Sequence, residues 1–373
     1  MPKTKERETT KKKGRAWKIV LIVLVVLAIV SAVFIEVTTK AVDVNADNFR
    51  PVGGMVTSQE MDYQADSAKG LEKNAVIKIM QMVWRFIADG DSKRVERQTP
   101  PDDVKTVCDI PYLDDGNIYH VLDVYYPEAA EGGALPVIID IHGGGWLYGD
   151  KEINKYYCME LAHRGYVVFN MSYRLVPDVT VNEQIADVFS ALDWIDKNMS
   201  AYPVDGKNVF LTGDSAGGQL AGFATCIMNS AELQQVFEVN APSFELNATL
   251  LTSPVAYMRD CGPLKAYTAV CWGKDYKSKA TADYMDLDKL MDKCESLPPV
   301  YLVTSSGDMM AHGQTNRAAK DFEAKGFTYQ LSDYGKELDG KSQPHVFAVI
   351  EPFEEAGQKC IDAEIEFFIE NTK

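Results

Sequence analysis

A chain of 373 residues, 46% apolar and 25% charged, is long enough for one large domain with appendages and too apolar for global disorder. The net charge of −16 excludes the basic face that nucleic-acid binding requires. Seven cysteines, scattered without a C-x-x-C pair, exclude a zinc spacing and complete internal pairing.

Charge is unevenly spread along the chain. Residues 1–15 are basic and polar and read as a disordered cytoplasmic tail. An apolar run from Ile19 to Ile35, broken only by Ser31, follows. Counted from Ala16 to Val37 it is long enough to span a bilayer, and its basic flank predicts a transmembrane signal anchor with the N-terminus cytoplasmic and the body extracytoplasmic. The rival is a signal peptide cleaved near Val30-Ser31-Ala32, which would release a secreted protein. Residues 38–103 read as a polar linker with Gly53-Gly54, then an amphipathic helix from Lys73 to Ala88. Its apolar stripe includes Val76, Met80, Val83, Trp84 and Ile87, and Asp89-Gly90-Asp91 is the predicted stop.

From residue 104 strand and helix patterns alternate. Val104–Tyr112 and Tyr119–Tyr126 read as strands joined through the turn signal Asp114-Asp115-Gly116-Asn117. Strand patterns follow at Pro136–Ile141, Tyr166–Tyr173, before Gly213, and at Ala248–Val255, Pro298–Thr304 and Phe327–Tyr334. Helices are expected at 151–164, Glu183–Met199, after Ser215, at 313–325 and at 352–370. This alternation predicts an α/β fold, a doubly wound, mainly parallel sheet whose first two strands are antiparallel.

Gly213-Asp214-Ser215-Ala216-Gly217 stands between the run Val209–Thr212 and a helical stretch. Strand, Gly-x-Ser-x-Gly, then helix is the nucleophile elbow, a turn that pushes the serine hydroxyl out under backbone strain. A serine needs a base, and the base needs an orienting carboxylate. In this order of elements both should follow the serine, each on a loop after a strand. His345, in a loop before the last helix, fits the base; Asp308, ending the strand at Gly307-Asp308, fits the acid, with Asp333 as its rival. His312 falls on the start of a helix and reads as a surface or pocket residue. His142-Gly143-Gly144-Gly145-Trp146 matches an oxyanion loop, and the amides of Gly143, Gly144 and Ala216 are assigned to stabilise the oxyanion. Trp146 is assigned to substrate binding.

His-Gly-Gly-Gly-Trp together with Gly-Asp-Ser-Ala-Gly-Gly resembles the hormone-sensitive-lipase-type carboxylesterases of the α/β-hydrolase superfamily. The resemblance covers about residues 104–373. It implies a triad of Ser215, Asp308 and His345, no cofactor, short acyl-ester substrates, and an N-terminal helical cap before residue 100. Members often carry a second Asp one turn after the acid, where this chain has His312. Residues 256–297 form an insertion holding Tyr257, Tyr267, Trp272, Tyr276 and Tyr284, read as a lid over the site or as aromatic packing, and its aromatics would suit a glycan ester. Cys261, Cys271 and Cys294 share this segment, near enough for a disulfide. The expected function is therefore a membrane-anchored serine carboxylesterase acting on a small-molecule or glycan ester. The alternatives are a serine peptidase-like hydrolase and an inactive binding ectodomain.

Overall fold

The computed structural model of the protein describes residues 24–33, 83–84, 87, 90–91, 93–95, 97–130, 133–259 and 268–373. Eight strands form one sheet: β1 Val104–Pro111, β2 Val121–Pro127, β3 Leu135–Ile141, β4 Val167–Met171, β5 Val204–Asp214, β6 Ala248–Thr252, β7 Val300–Ser305 and β8 Tyr329–Tyr334. Their spatial order is β1-β2-β4-β3-β5-β6-β7-β8. β2 is antiparallel to both β1 and β4, and every other pairing is parallel. The expected doubly wound sheet is present.

The central strands are apolar on both faces because helices cover both. Successive residues of β3 divide between two cores, Ile138 on one side and Ile139 on the other. Phe210 and Leu211 of β5 divide the same way, as do Leu250 and Leu251 of β6. That two-residue period on a doubly buried strand is what a parallel sheet requires. α1 (Lys155–His163) and α4 (Glu355–Glu370) close one face, with Tyr157, Leu161, Phe367 and Phe368 buried there. α2 (Val181–Asn198) and α3 (Ser215–Met228) close the other, with Ile185, Val188, Leu220 and Phe223. A capping box starts α2, where the Thr180 amide donates to Glu183 Oε2 at 2.7 Å. The parallel strands all point toward one edge of the sheet, so the loops after β3, β5, β7 and β8 gather there.

Several expectations change. Residues 90–91 and 93–95 are helical, where the sequence predicts a stop at Asp89-Gly90-Asp91. Docking adds to what the local sequence offers: Asp91 accepts from the Tyr148 hydroxyl at 2.8 Å, beside its own i,i+3 pair with Arg94 at 3.5 Å. Of the expected Ala16–Val37 anchor, residues 24–33 are helical and exposed. The rest of that span, the tail, the 38–70 linker and most of the Lys73–Ala88 helix lie outside the described residues. Among the described residues no helix is long and apolar enough to cross a membrane.

The described part of the 256–297 insertion packs against the main domain. Tyr257 and Trp272 are fully buried, and Leu287, whose amide donates to the Ala256 carbonyl, packs against the face of α3 at Gly222. Cys271 and Cys294 are free thiols, so they form no disulfide with each other; Cys261 and Tyr267 lie outside the described residues.

Candidate active site

β5 delivers Ser215 at the first position of α3 with φ 51°, the left-handed region that an L-residue enters only under constraint. The turn is that tight because a Cβ on Gly217 would lie 2.0 Å from the Ile141 carbonyl oxygen of β3. Only glycine permits this approach of helix to sheet.

His345 lies in the loop between β8 and α4, and its Nε2 is 2.9 Å from Ser215 Oγ. Its Nδ1–H donates to Asp308 Oδ2 at 3.0 Å. Asp308 follows β7 and its side chain is fully buried. Its second oxygen, Oδ1, accepts the amides of Met310 and Ala311 at 2.8 and 2.9 Å. Burial alone would raise this carboxyl; the hydrogen bond and charge of His345, the Ala311 amide and the Ser253 hydroxyl outweigh it and hold it at about 2. Asp308 therefore stays ionised beside the imidazole, and with Nδ1–H turned to it Nε2 is the ring atom that faces Ser215 Oγ. His312 goes elsewhere: its Nε2 is 2.9 Å from Asp333, on β8, and both side chains are about one-third exposed. Asp333, the rival acid, is engaged by His312 and Asn316.

The glycine loop after β3 does not use its amides as expected. Gly143 N–H donates to Asp214 Oδ1 at 2.8 Å, so it is engaged inside the protein. The next two residues, Gly144 and Gly145, face the same cavity as Ser215. Gly144 has φ 112°, and a Cβ there would lie 2.0 Å from the Tyr148 carbonyl oxygen. The loop thus turns through a conformation closed to other residues. Trp146 also lies away from the expected substrate-binding position. Its φ of 67° turns the indole into the core, where it is 2% exposed and donates to Gln219 Oε1 at 3.0 Å. It does not line the cavity.

Beneath the loop, His142 is fully buried and stacks on Tyr173 with ring centroids 4.3 Å apart. Burial lowers it to about 4, against the opposing contact with the Gly143 carbonyl, so the ring is neutral near pH 7. Asp214 is buried as well. Burial raises it to about 7, with the nearby Asp140 carboxylate adding to the rise and the Asn154 amide opposing it. The sequence pattern marks Asp214 only as the free position of Gly-x-Ser-x-Gly. Its role is visible only once Gly143 and Asn154 are seen meeting it.

A cavity of about 340 Å³ opens at Ser215 and His345. Its remaining walls are largely apolar: Ile153, Met310, Val346 and Ile350 from the main domain, Trp84 and Ile87 from the N-terminal helix. Trp84 stacks on Tyr148 with centroids 5.4 Å apart, which seats the helix beside the glycine loop. Among the described residues no group of His, Cys, Asp and Glu could hold a metal ion. The arrangement suits nucleophilic attack on a carbonyl held in a small, mostly apolar space.

Comparison with known proteins agrees with this chemistry. A BD-FAE family model matches residues 122–321. Esterase B from Lactobacillus rhamnosis (HN001) superposes with a TM-score of 0.75 at 30% identity, covering 81% of this chain and 96% of its own. The same esterase inhibited by a C4-C4 tributyrin phosphonate superposes at 0.76 with 31% identity, covering 80% and 96%. An isoprenylcysteine alpha-carbonyl methylesterase of Arabidopsis thaliana is 25% identical over 61% of this chain and 54% of its own length. A probable carboxylic ester hydrolase, LipM, of Mycobacterium tuberculosis is 28% identical over 66% and 54%. The chain thus spans about half the length of these two curated relatives.

Proposed function

The chain belongs to the BD-FAE family and is an α/β-hydrolase of the hormone-sensitive-lipase type, and from that premise we propose that it is a serine carboxylesterase acting on short-chain acyl esters. One observation carries the reading: Asp308, His345 and Ser215 are hydrogen-bonded in series at 3.0 and 2.9 Å, at the wall of an open cavity.

In this mechanism His345 Nε2 takes the Ser215 proton as Oγ attacks the ester carbonyl, and ionised Asp308 stabilises the imidazolium that forms. The oxyanion is received by the amides of Gly144, Gly145 and Ala216. Gly145 replaces Gly143 in the set because the Gly143 amide is already donated to Asp214. His345 then protonates the leaving alcohol, and water attacks the acyl-enzyme on Ser215 with His345 again as base. A short acyl chain is supported by the cavity's volume of about 340 Å³, its apolar walls, and the C4-C4 tributyrin phosphonate of the similar Esterase B.

A fluorophosphonate probe and butyryl esters test this. Wild type should label and turn over. Ser215→Ala should lose labelling and lower kcat by about 10⁴-fold or more, because only binding and oxyanion contacts remain. Labelling that survives in Ser215→Ala would overturn the assignment, and a protein that neither labels nor hydrolyses would be the inactive ectodomain.

We propose further that Ala16–Val37 anchors the protein with residues 104–373 outside the cytoplasm, supported by the apolar run and its basic flank. Retention in membranes after alkaline carbonate extraction is the expected result. Release of a chain beginning near Val33 would favour the cleaved signal peptide.

A further inference from the structure

Asn154 immediately precedes α1, a position where asparagine ordinarily caps the helix through its side chain. Here it makes no such bond. The residue is completely buried, and its amide Nδ2 donates instead to two carboxylates, Asp214 Oδ1 and Asp140 Oδ2, both at 2.8 Å. Asp140 is on β3, next to the strand that ends in Asp214, and its other oxygen accepts the Thr212 hydroxyl. Giving up a helix cap to bridge two buried acids is a costly local choice, and what it positions is on the other side of Asp214.

Asp214 Oδ1 is the atom where three parts of the chain meet. It belongs to the residue before the nucleophile. It accepts Gly143 N–H, at the start of the glycine loop, and Asn154 Nδ2, at the loop's end. The Gly143 peptide is held from its other side too, since its carbonyl accepts from His142 Nδ1 at 2.6 Å and lies 3.3 Å from the Tyr173 hydroxyl. With both ends of the loop joined on one oxygen, the directions of the Gly144 and Gly145 amides are fixed relative to Ser215. Without Asn154, the only remaining hydrogen-bond donor on Asp214 among the described residues is the Gly143 amide, and a second buried carboxylate stands nearby with no bridge between them.

We propose that Asn154 is a positioning residue for the oxyanion amides, acting through Asp214 to hold the glycine loop in register with Ser215. This rests on the serine esterase reading, and it extends that reading to a residue that touches neither substrate nor nucleophile. A misplacement of about 1 Å in such donors is enough to cost about 100-fold in rate.

The test is Asn154→Ala in the full chain, with active sites counted by fluorophosphonate labelling so that kcat refers to competent enzyme. For a butyryl ester, kcat should fall by about 30- to 100-fold with KM changed less than about threefold. The inhibition constant of a trifluoromethyl ketone, which puts an oxyanion where the amides point, should rise by the same factor as kcat falls. If the counted sites keep wild-type kcat, or if the ketone binds unchanged while kcat falls, the proposal is overturned. Should Asn154→Ala not fold, Asn154→Ser, whose shorter hydroxyl does not span both carboxylates, is read by the same two ratios. Failure of the esterase reading would look different, as wild type itself would neither label nor turn over.

Discussion

Two buried carboxylates flank Ser215, and their surroundings push them in opposite directions. Asp308, behind His345, is held at about 2, whereas Asp214, on the floor of the site, is raised to about 7. Burial raises both. What separates them is the company each keeps: Asp308 is hydrogen-bonded to the His345 imidazole, two backbone amides and a hydroxyl, while Asp214 accepts one backbone amide and one side-chain amide, stands near the acid Asp140, and is lowered by His345 through charge alone. An imidazole hydrogen-bonded directly to the carboxylate helps outweigh desolvation at Asp308, whereas its charge alone, with neutral donors, does not at Asp214. One carboxylate is therefore suited to balance charge during a reaction, and the other to hold a loop in place.

The largest effect that would break this division is on Asp308. Asp308→Asn removes the charge and lets the amide stabilise the wrong imidazole tautomer, so kcat for ester hydrolysis should fall by about 10⁴-fold without unfolding the protein. A loss of only about tenfold would mean that another group orients His345.

Next in size are opposite pH dependences of stability, read from urea unfolding between pH 3 and 8. Asp308 is depressed from 3.8, so its stabilisation is complete above about pH 4 and is lost as pH falls from about 4 to 2. Relative to wild type, Asp308→Asn should therefore be less stable at neutral pH, by on the order of 2 kcal/mol, and the gap should close in acid. Asp214 is raised from 3.8, so ionising it costs the folded state nothing below about pH 4, and the cost grows as pH rises to about 7. Asp214→Asn should gain on wild type across that window, by a few kcal/mol at most, about the size of the shift. Curves that run parallel at every pH would refute the opposed environments.

Asp214→Asn should cost little in rate, about tenfold or less, because an asparagine carbonyl still accepts the Gly143 amide and the Asn154 amide. A loss matching that of Asp308→Asn would move Asp214 from holding the loop to the chemistry itself.

Asp308 and Asp214 also mark how far the sequence could be read. Asp308 and His345 were legible because chain order and strand ends restrict which acid and base can meet a serine elbow, and the structure brings the three together. The central strands were legible from their apolar runs, which are buried on both faces. The tertiary uses of backbone groups were not. No local pattern says that the Gly143 amide is donated to Asp214, that Trp146 turns inward at φ 67°, or that Asn154 abandons its helix for two acids. The helical residues 90–91 and 93–95 belong with these, since Asp91 is tied there by the distant Tyr148 hydroxyl. Aromatic content alone left a lid and aromatic packing both open in 256–297; Tyr257 and Trp272 are core residues.

The smallest expected effect comes from a second Asp–His pair, which serves as a natural control. His312 and Asp333 are as close as His345 and Asp308, 2.9 Å against 3.0 Å, yet the pair is partly exposed and its third partner is Asn316 rather than a nucleophile. His312 begins the helix after Asp308 and does not line the cavity. A solvated pair of this kind contributes about 1 kcal/mol or less. His312→Ala should therefore leave kcat/KM within about threefold and stability within that same range, whereas His345→Ala should lose nearly as much rate as Ser215→Ala because the members act as a unit. Measuring both variants on one butyryl ester decides whether proximity to a carboxylate is enough to make a histidine a base. If His312→Ala is the more damaging of the two, the base has been assigned to the wrong histidine and the series Asp308–His345–Ser215 does not carry the reaction.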